Sequence, residues 1–346
     1  MSDQSAQSAV QTDLVERVLK KDPRALARVI TELENETSGS SAILAAIQSH
    51  VDQSNIIGVT GPPGAGKSTL IDALIHELRG REKTVGVLAV DPSSPNSGGA
   101  ILGDRIRMNR HAGDSGVFIR SLASRGHLGG LFRAAWAVVQ AMDAYGPDYI
   151  IIETVGAGQS EVEISNIAST RLVLCAPGAG DDIQAIKAGI LEIADILVVN
   201  KGDHPMAEET KRQLEAMVRL RDPRMSKAQV IVTVATSGQG VPELVDLLEK
   251  SAMMLSPKSI GRQERMRHVV ANAAAEVVRQ QILMGTSPDL ISIFNDLAIG
   301  TISTKQAAFN AAGIVVAGNE VVKQEKKQKK TDIFHYTTEA DKKAKR

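Results

Sequence analysis

The 346-residue chain has a single cysteine, Cys175. An internal disulfide is therefore excluded, and a reducing compartment is expected. Cys175 lies in the apolar run Leu172–Ala176 and reads as a buried structural thiol. Aromatic residues amount to 3%, so the core must be built from aliphatic side chains. No stretch of 18 apolar residues occurs, which excludes a membrane-spanning helix. The first twenty residues are polar and lack an apolar core, unlike a secretory or Arg-rich transit peptide, so a cytoplasmic location is expected. Forty basic residues balance forty acidic ones, and no nucleic-acid or membrane partner is implied. The balance is uneven along the chain: from Val321 to Arg346 nine Lys/Arg face four Asp/Glu, so this segment carries +5 and the rest −5.

What is present is a change of texture at Asn55. Before it, residues 1–12 are Ser/Gln/Ala-rich and read as disordered. A helical segment over 13–52 follows, with Asp22-Pro23 as a helix start and Leu26, Val29, Ile30 and Leu33 at helical spacing. After it, strand candidates Ile56–Thr60, Thr84–Val90, Val117–Ile119, Tyr149–Glu153, Leu172–Ala176, Ile196–Asn200 and Val230–Val234 alternate with helical patterns. Those patterns cover Ser68–Arg79, Gly103–Ala112, Gly130–Ala144, Ala207–Arg219 and Val241–Lys250. Near-continuous apolar strands alternating with helices predict an α/β fold with a mostly parallel sheet, covered on both faces, over 53–256. Ligands of such sheets bind at the carboxyl ends of the strands. Helical patterns return over 257–318, and 319–346 is a basic tail.

Gly61-Pro62-Pro63-Gly64-Ala65-Gly66-Lys67-Ser68 matches G-x4-G-K-[ST] between a strand and a helix. Glycines allow backbone N–H groups to turn inward around phosphate oxygens. The helix that begins here adds the positive end of its dipole. Lys67 would neutralise the outer phosphates, and Ser68 would offer a hydroxyl to Mg²⁺. Thr69 completes the string. Downstream, Asn200-Lys201-Gly202-Asp203 matches N-K-x-D at a strand end. One carboxylate can accept from both N1–H and the exocyclic amine of guanine, whereas adenine offers an acceptor at N1 and is repelled. A second base-side loop is expected at Val234-Ala235-Thr236, where Val stands in place of the usual Ser and the contact would be made by backbone.

Glu153-Thr154-Val155-Gly156 occupies the place of D-x-x-G, so Glu153 is a cation ligand through water and the Gly156 N–H a γ-phosphate contact. Asp91, at the end of the second strand, and Asp104 point to the same Mg²⁺, although Asp104 also fits a helix cap. No Gln follows Gly156 directly; Gln159 is the nearest, so unassisted hydrolysis should be slow. Arg120–His127 fits a partner surface, a brace for these switch segments or a structural role, and Pro177–Asp182, leading to Gln184 and Lys187, is a flexible acidic loop that also fits an ordinary βα connection.

Together these strings resemble the MeaB/ArgK-type GTPases, the family that includes the human MMAA-type protein. The resemblance rests on residues 59–69, 89–94, 98–104, 120–130, 153–161 and 177–193, and spans roughly residues 15 to 312. It implies a SIMIBI-class P-loop G domain with an N-terminal helical segment and a C-terminal dimerisation arm, hence a homodimer. It implies switch regions over 91–108, 153–163 and 177–187, with Gln159 and Lys187 as catalytic candidates beside Lys67 and Glu153. It also implies a chaperone that uses GTP and GDP to gate loading and reactivation of an adenosylcobalamin-dependent acyl-CoA mutase, with the cobalamin adenosyltransferase as a further partner. That mutase would be methylmalonyl-CoA mutase or a relative acting on isobutyryl- or hydroxyisobutyryl-CoA. Cobalamin would be held by the partner, because no D-x-H-x-x-G string is present. Two other readings share the fold class: a nickel-type metallochaperone GTPase, which would need clustered Cys or His, and an amino-acid-transport kinase, which would need an acceptor site and base. The single Cys and seven scattered His disfavour the first, and no dedicated pair supports the second.

Overall fold

The computed structural model describes residues 2–51, 54–92, 109–111, 113–124, 128–154, 167–178, 194–220, 228–254 and 260–317. The chain forms two compact units, one over Met1–Val270 and a second over Ala271–Arg346.

The first unit is built on seven parallel strands: β1 (Asn55–Thr60), β2 (Val85–Pro92), β3 (Val117–Ser124), β4 (Tyr149–Thr154), β5 (Thr170–Cys175), β6 (Ile196–Val199) and β7 (Gln229–Val232). Their order is β3-β2-β4-β1-β5-β6-β7. Alternation along each strand sends side chains to two different cores. Ile57 and Val59 of β1, Val85 and Val87 of β2, and Tyr149 and Ile151 of β4 face α4 (Lys67–Gly80). Ile56, Leu88, Val90, Ile150 and Ile152 face the opposite layer, which contains α5 (Leu128–Tyr145) and the N-terminal helices. These are α1 (Ser2–Leu19), α2 (Pro23–Glu34) and α3 (Ser40–Ile47). A third cluster packs α6 (Ala207–Arg219) against Val173, Cys175, Leu197 and Val199. Cys175 is buried, as its apolar neighbours suggested.

The P-loop helix α4 is deeply seated. Leu70, Ile71, Leu74, Ile75 and Leu78 are fully buried, each contributing about 1.5–3 kcal/mol of transfer free energy. Arg81, beyond its last turn, donates to Glu77, Asp246 and Glu249 and to the Pro242 carbonyl, tying α4 to α7 (Val241–Met254).

Several bounds differ from those expected. α1 extends back to Ser2 rather than starting at Asp13. Its C-terminal part is held by Leu14, Val15 and Val18, which join the α2/α5 core. β3 runs to Ser124, so Arg120–Ser124 are strand residues and not a loop. Polar Arg120 and Ser121 disguise the strand, yet β3 pairs with β2 along its whole length, in register from Val85↔Val117 to Pro92↔Ser124. Arg120 reaches across to α2, donating to Glu34 at 2.9 Å. The helix expected over Gly103–Ala112 lies mostly outside the described residues, and residues 109–111 at its end form a 3-10 turn.

The second unit contains the end of α8 (Ile260–Met284), α9 (Pro288–Ala298) and a helix over 304–317. Ser287 caps α9 by accepting from the Leu290 N–H. Leu290, Ile293, Ala307 and Ala311 form its small core.

Tyr149 opens β4 with 3% of its surface exposed, and burial pushes its phenol up to about 12. An unfolded tyrosine releases its proton near pH 10. The folded state therefore holds a proton that the unfolded state has lost, and stability falls as pH rises from about 10 to about 12. The slope from this one group is about 1.4 kcal/mol per pH unit. Urea unfolding across that interval should show a shallower alkaline loss in Tyr149→Phe than in the parent.

Candidate nucleotide-binding site

The carboxyl ends of the central strands bring the sequence motifs to one edge of the sheet. β1 delivers the loop Gly61–Gly66, β4 delivers Glu153, β6 delivers Asn200, and β7 leads into Val234-Ala235-Thr236. Asp91 sits at the end of β2, opposite Ala123. Asp104, Gly156, Gln159 and Lys187 lie outside the described residues.

The loop has the backbone that its glycines predict. Gly66 is left-handed, with φ +92°. A Cβ there would also come within 2.4 Å of the Asn200 amide nitrogen. Gly66 is the N-cap of α4 and offers no side-chain acceptor to the first-turn N–H groups. The positive end of the α4 dipole thus lies at the phosphate loop with no cap side chain over it, a place that suits an anion. Lys67, 8% exposed, curls back over its own loop and donates to the Gly61 carbonyl at 2.7 Å and the Pro62 carbonyl at 3.1 Å. Its charge is thus held at the loop.

Ser68 donates from Oγ to Oε1 of Glu153 at 2.7 Å, and both residues are buried. Two of the four groups predicted to serve a cation, 85 residues apart in sequence, are in direct contact. A buried hydroxyl and carboxylate beside a phosphate loop are hard oxygen donors of the kind Mg²⁺ takes, so this pair fits that ion. Bound there, Mg²⁺ would neutralise charge on the outer phosphates.

Asn200 is 2% exposed, and both heteroatoms of its amide make hydrogen bonds. Nδ2 donates to the Ala65 carbonyl at 2.9 Å. Oδ1 accepts from Thr233 Oγ1 and from the Ala235 N–H, each at 3.2 Å. The motif points Asn200 at the base, and its side chain also joins the phosphate loop to the base-side loop. Thr233 carries no motif of its own. The one signal it offers is its position, directly before the base loop at the end of β7.

The turn after Asn200 presents Lys201 and Asp203 to solvent. Lys201 takes φ +57°, and the Gly202 N–H donates to the Thr233 carbonyl at 2.9 Å. A Cβ at Gly202 would lie 2.5 Å from Val232, so close packing fixes the turn that displays Asp203. In the adjacent loop, Val234 pairs with Gln239 and its side chain is buried. The Ala235 N–H is the donor to Asn200 Oδ1. Thr236 is exposed.

Removing the Asn200 amide leaves a buried hydroxyl, a buried N–H and a loop carbonyl without their partner. Each such loss costs about 1–3 kcal/mol. Asn200→Ala should therefore lower unfolding stability and weaken binding of a fluorescent guanine nucleotide together. Urea unfolding and a nucleotide titration on the same protein check both effects.

Comparison with known proteins agrees with this geometry. The family model described as methylmalonyl-CoA mutase-associated GTPase MeaB matches residues 26–287. A Pyrococcus horikoshii protein named as a GTPase is 42% identical over 315 residues, covering 88% of this chain and 96% of the relative. The Escherichia coli GTPase ArgK is 41% identical over 199 residues, covering 56% of this chain and 60% of ArgK. The mouse mitochondrial methylmalonic aciduria type A homolog is 37% identical over 220 residues, covering 62% and 53% of the two chains. Among solved structures, one described as a LAO/AO transport system kinase covers 89% of this chain and 98% of its own, with TM-score 0.68 and 24% identity, and supports the fold alone. Both the family match and the arrangement of phosphate loop and base turn lead to one conclusion: the chain belongs to the MeaB family of P-loop GTPases.

Proposed function

We propose that this GTPase uses Mg²⁺-dependent binding and hydrolysis of GTP to gate adenosylcobalamin loading and reactivation of a B12-dependent acyl-CoA mutase. The observation that carries the nucleotide part of this reading is the Asn200 amide, which couples the loop for phosphates to the loop for the base. The mutase part is supported by the family description, which associates its members with methylmalonyl-CoA mutase. Cobalamin remains with the partner in this reading, and the site of action is cytoplasmic.

The residues take these roles. Gly61–Thr69 enclose the phosphates, and Lys67 exchanges its loop carbonyls for phosphate oxygens. Ser68, Asp91, Asp104 and Glu153 hold Mg²⁺, directly or through water. Lys201 lies along the base, and Asp203 accepts from its two adjacent donors. Gln159 and Lys187 orient the attacking water once a mutase has engaged, so turnover alone is slow and a partner accelerates it. The GTP and GDP forms must bind the mutase with different affinity, because only a difference can couple hydrolysis to gating. A homodimer through residues 257–318 is supported by Leu283, Met284, Ile299 and Phe309, which are 70–82% exposed in the second unit. Among the described residues no helix is long and apolar enough to cross a membrane.

Two experiments test this reading. Asp203→Asn replaces an acceptor with an amide that can both donate and accept. Guanine nucleotides should bind roughly tenfold to a hundredfold more weakly, from loss of a charge-assisted hydrogen bond of about 1.5–3 kcal/mol. Xanthine nucleotides, which present an acceptor where guanine has its amine, should gain. Separately, GTP turnover measured with and without methylmalonyl-CoA mutase or an isobutyryl-CoA relative should rise with the cognate enzyme. No acceleration by any of them would remove the mutase role and leave the GTPase intact.

A further inference from the structure

A cleft of about 430 Å³ opens at the amino edge of the sheet. Its walls come from the α1–α2 turn at Lys21, the start of β2, the entry to β3 and the turn that ends α5 at Tyr145. A volume of that size suits a small organic ligand. The β2 strand is eight residues long, so this edge lies about 23 Å from the carboxyl ends that carry the nucleotide motifs.

Lys21 distinguishes the cleft. It follows α1 in a Schellman turn: its N–H donates to the Val18 carbonyl at 2.9 Å, and the Asp22 N–H donates to the Arg17 carbonyl at 3.0 Å. That place takes a left-handed backbone and usually holds glycine, yet Lys21 adopts it with φ +64°. A lysine carries steric strain there that glycine would not. Its side chain is held over the end of α5. Nζ donates to the Gly146 carbonyl at 2.5 Å and lies 5.8 Å from the centre of the Tyr145 ring. The Tyr145 hydroxyl donates back to the Lys21 carbonyl at 3.2 Å. Burial raises the Tyr145 phenol, so it stays neutral and does not balance the ammonium.

The carboxylates around the cleft are engaged with other groups. Asp22 pairs with Arg17 at 2.8 Å and caps α2. Asp114 is gripped by Arg79 through two bonds of 2.8 and 2.9 Å. Asp148 accepts from the N–H and hydroxyl of Thr84. Among the described residues no carboxylate pairs with Lys21, whose charge rests on a carbonyl and a ring face. An ammonium has three donors, and the Gly146 carbonyl takes one. Beside it, the Phe118 ring stands 6.2 Å from that of Tyr145 at 41°, so the wall next to the cation is aromatic.

We propose that this cleft binds a small aromatic monocarboxylate, with the anion on Lys21 and the ring against Phe118 and Tyr145. One unbalanced ammonium matches one carboxylate. A polyphosphate needs more cations, and a cationic ligand meets Lys21 with like charge. The bound acid bridges the α1–α2 turn, the sheet and the end of α5. The site shares no residue with the nucleotide site, so its test is independent of the GTPase reading.

The test titrates 2-naphthoate, followed by its fluorescence, into the full-length protein, with neutral 2-naphthamide as its counterpart. Saturable binding of 2-naphthoate is expected in the millimolar range or tighter, as suits a ligand of its size. The amide should bind roughly tenfold or more weakly, for want of a charge-assisted hydrogen bond. Lys21→Gly removes the ammonium but suits the left-handed backbone, so the fold is kept; it should weaken 2-naphthoate to the level of the amide. Gly113 lines the cleft, and nothing lies within 4 Å of a Cβ placed there. Gly113→Leu should therefore fill the space and block both compounds. Circular-dichroism melts establish that each variant is folded. No saturable binding of 2-naphthoate, or equal binding of acid and amide, overturns the proposal. Unchanged binding in both variants overturns it as well, since the acid would then occupy another place.

Discussion

One buried amide sets the geometry of the site. Asn200 emerges at the end of β6, accepts from the end of β7 and its loop, and donates into the phosphate loop after β1. β1 and β6 are not neighbours, because β5 lies between them. A sheet alone fixes the spacing of strand ends but not the attitude of the loops beyond them. The Asn200 amide supplies that missing constraint between the group that holds phosphates and the turn that displays Asp203. Gly66 completes the arrangement, since a side chain there would collide with the same amide nitrogen.

α4 is the second organising element. Its apolar face is sunk in the sheet, which leaves its polar positions to fasten everything around it. Ser68 meets Glu153 of β4, Asp72 meets Arg110 and His111, and Arg79 meets Asp114. Just beyond its end, Arg81 meets Glu249 and Asp246 of α7. The partly exposed pairs are individually modest in energy. Their consequence is registry: each fixes a different chain segment to the one helix whose N-terminus faces the phosphates.

Much of this was readable in the residues. The strand–helix alternation, the G-x4-G-K-S string and N-K-x-D each state a local rule that folding obeys, so the parallel sheet and the placement of Lys67, Ser68, Glu153 and Asp203 follow. The full length of β3 was not, because Arg120 and Ser121 interrupt its apolar pattern while the ladder to β2 carries it onward. The Asn200 strut was hidden for a different reason. A motif names the ligand its residues serve but not the protein groups that share them, and Ala65 and Thr233 are 135 and 33 residues away. The contact of Asp72 with His111 was invisible on the same grounds, since nothing in their spacing announces it.

The two edges of the sheet divide the work. At the amino edge, carboxylates serve architecture. Asp148 accepts from the Thr84 N–H and hydroxyl; burial opposes its charge, and the two bonds from Thr84 outweigh that. Asp195 holds Arg171 in the same way at the start of β5, and buried Asp143 accepts from the Ser54 N–H ahead of β1. Each of these bonds fixes where a strand begins. The starts of the strands are therefore fixed at this edge, and Lys67, Ser68 and Glu153 at the other edge need not set where a strand begins. That freedom is what allows buried Lys67, Ser68 and Glu153 to remain as polar groups at a place where an apolar core would pack at lower free energy. Their burial at that edge, with Asn200 holding the loops around them, suits a site for a charged ligand.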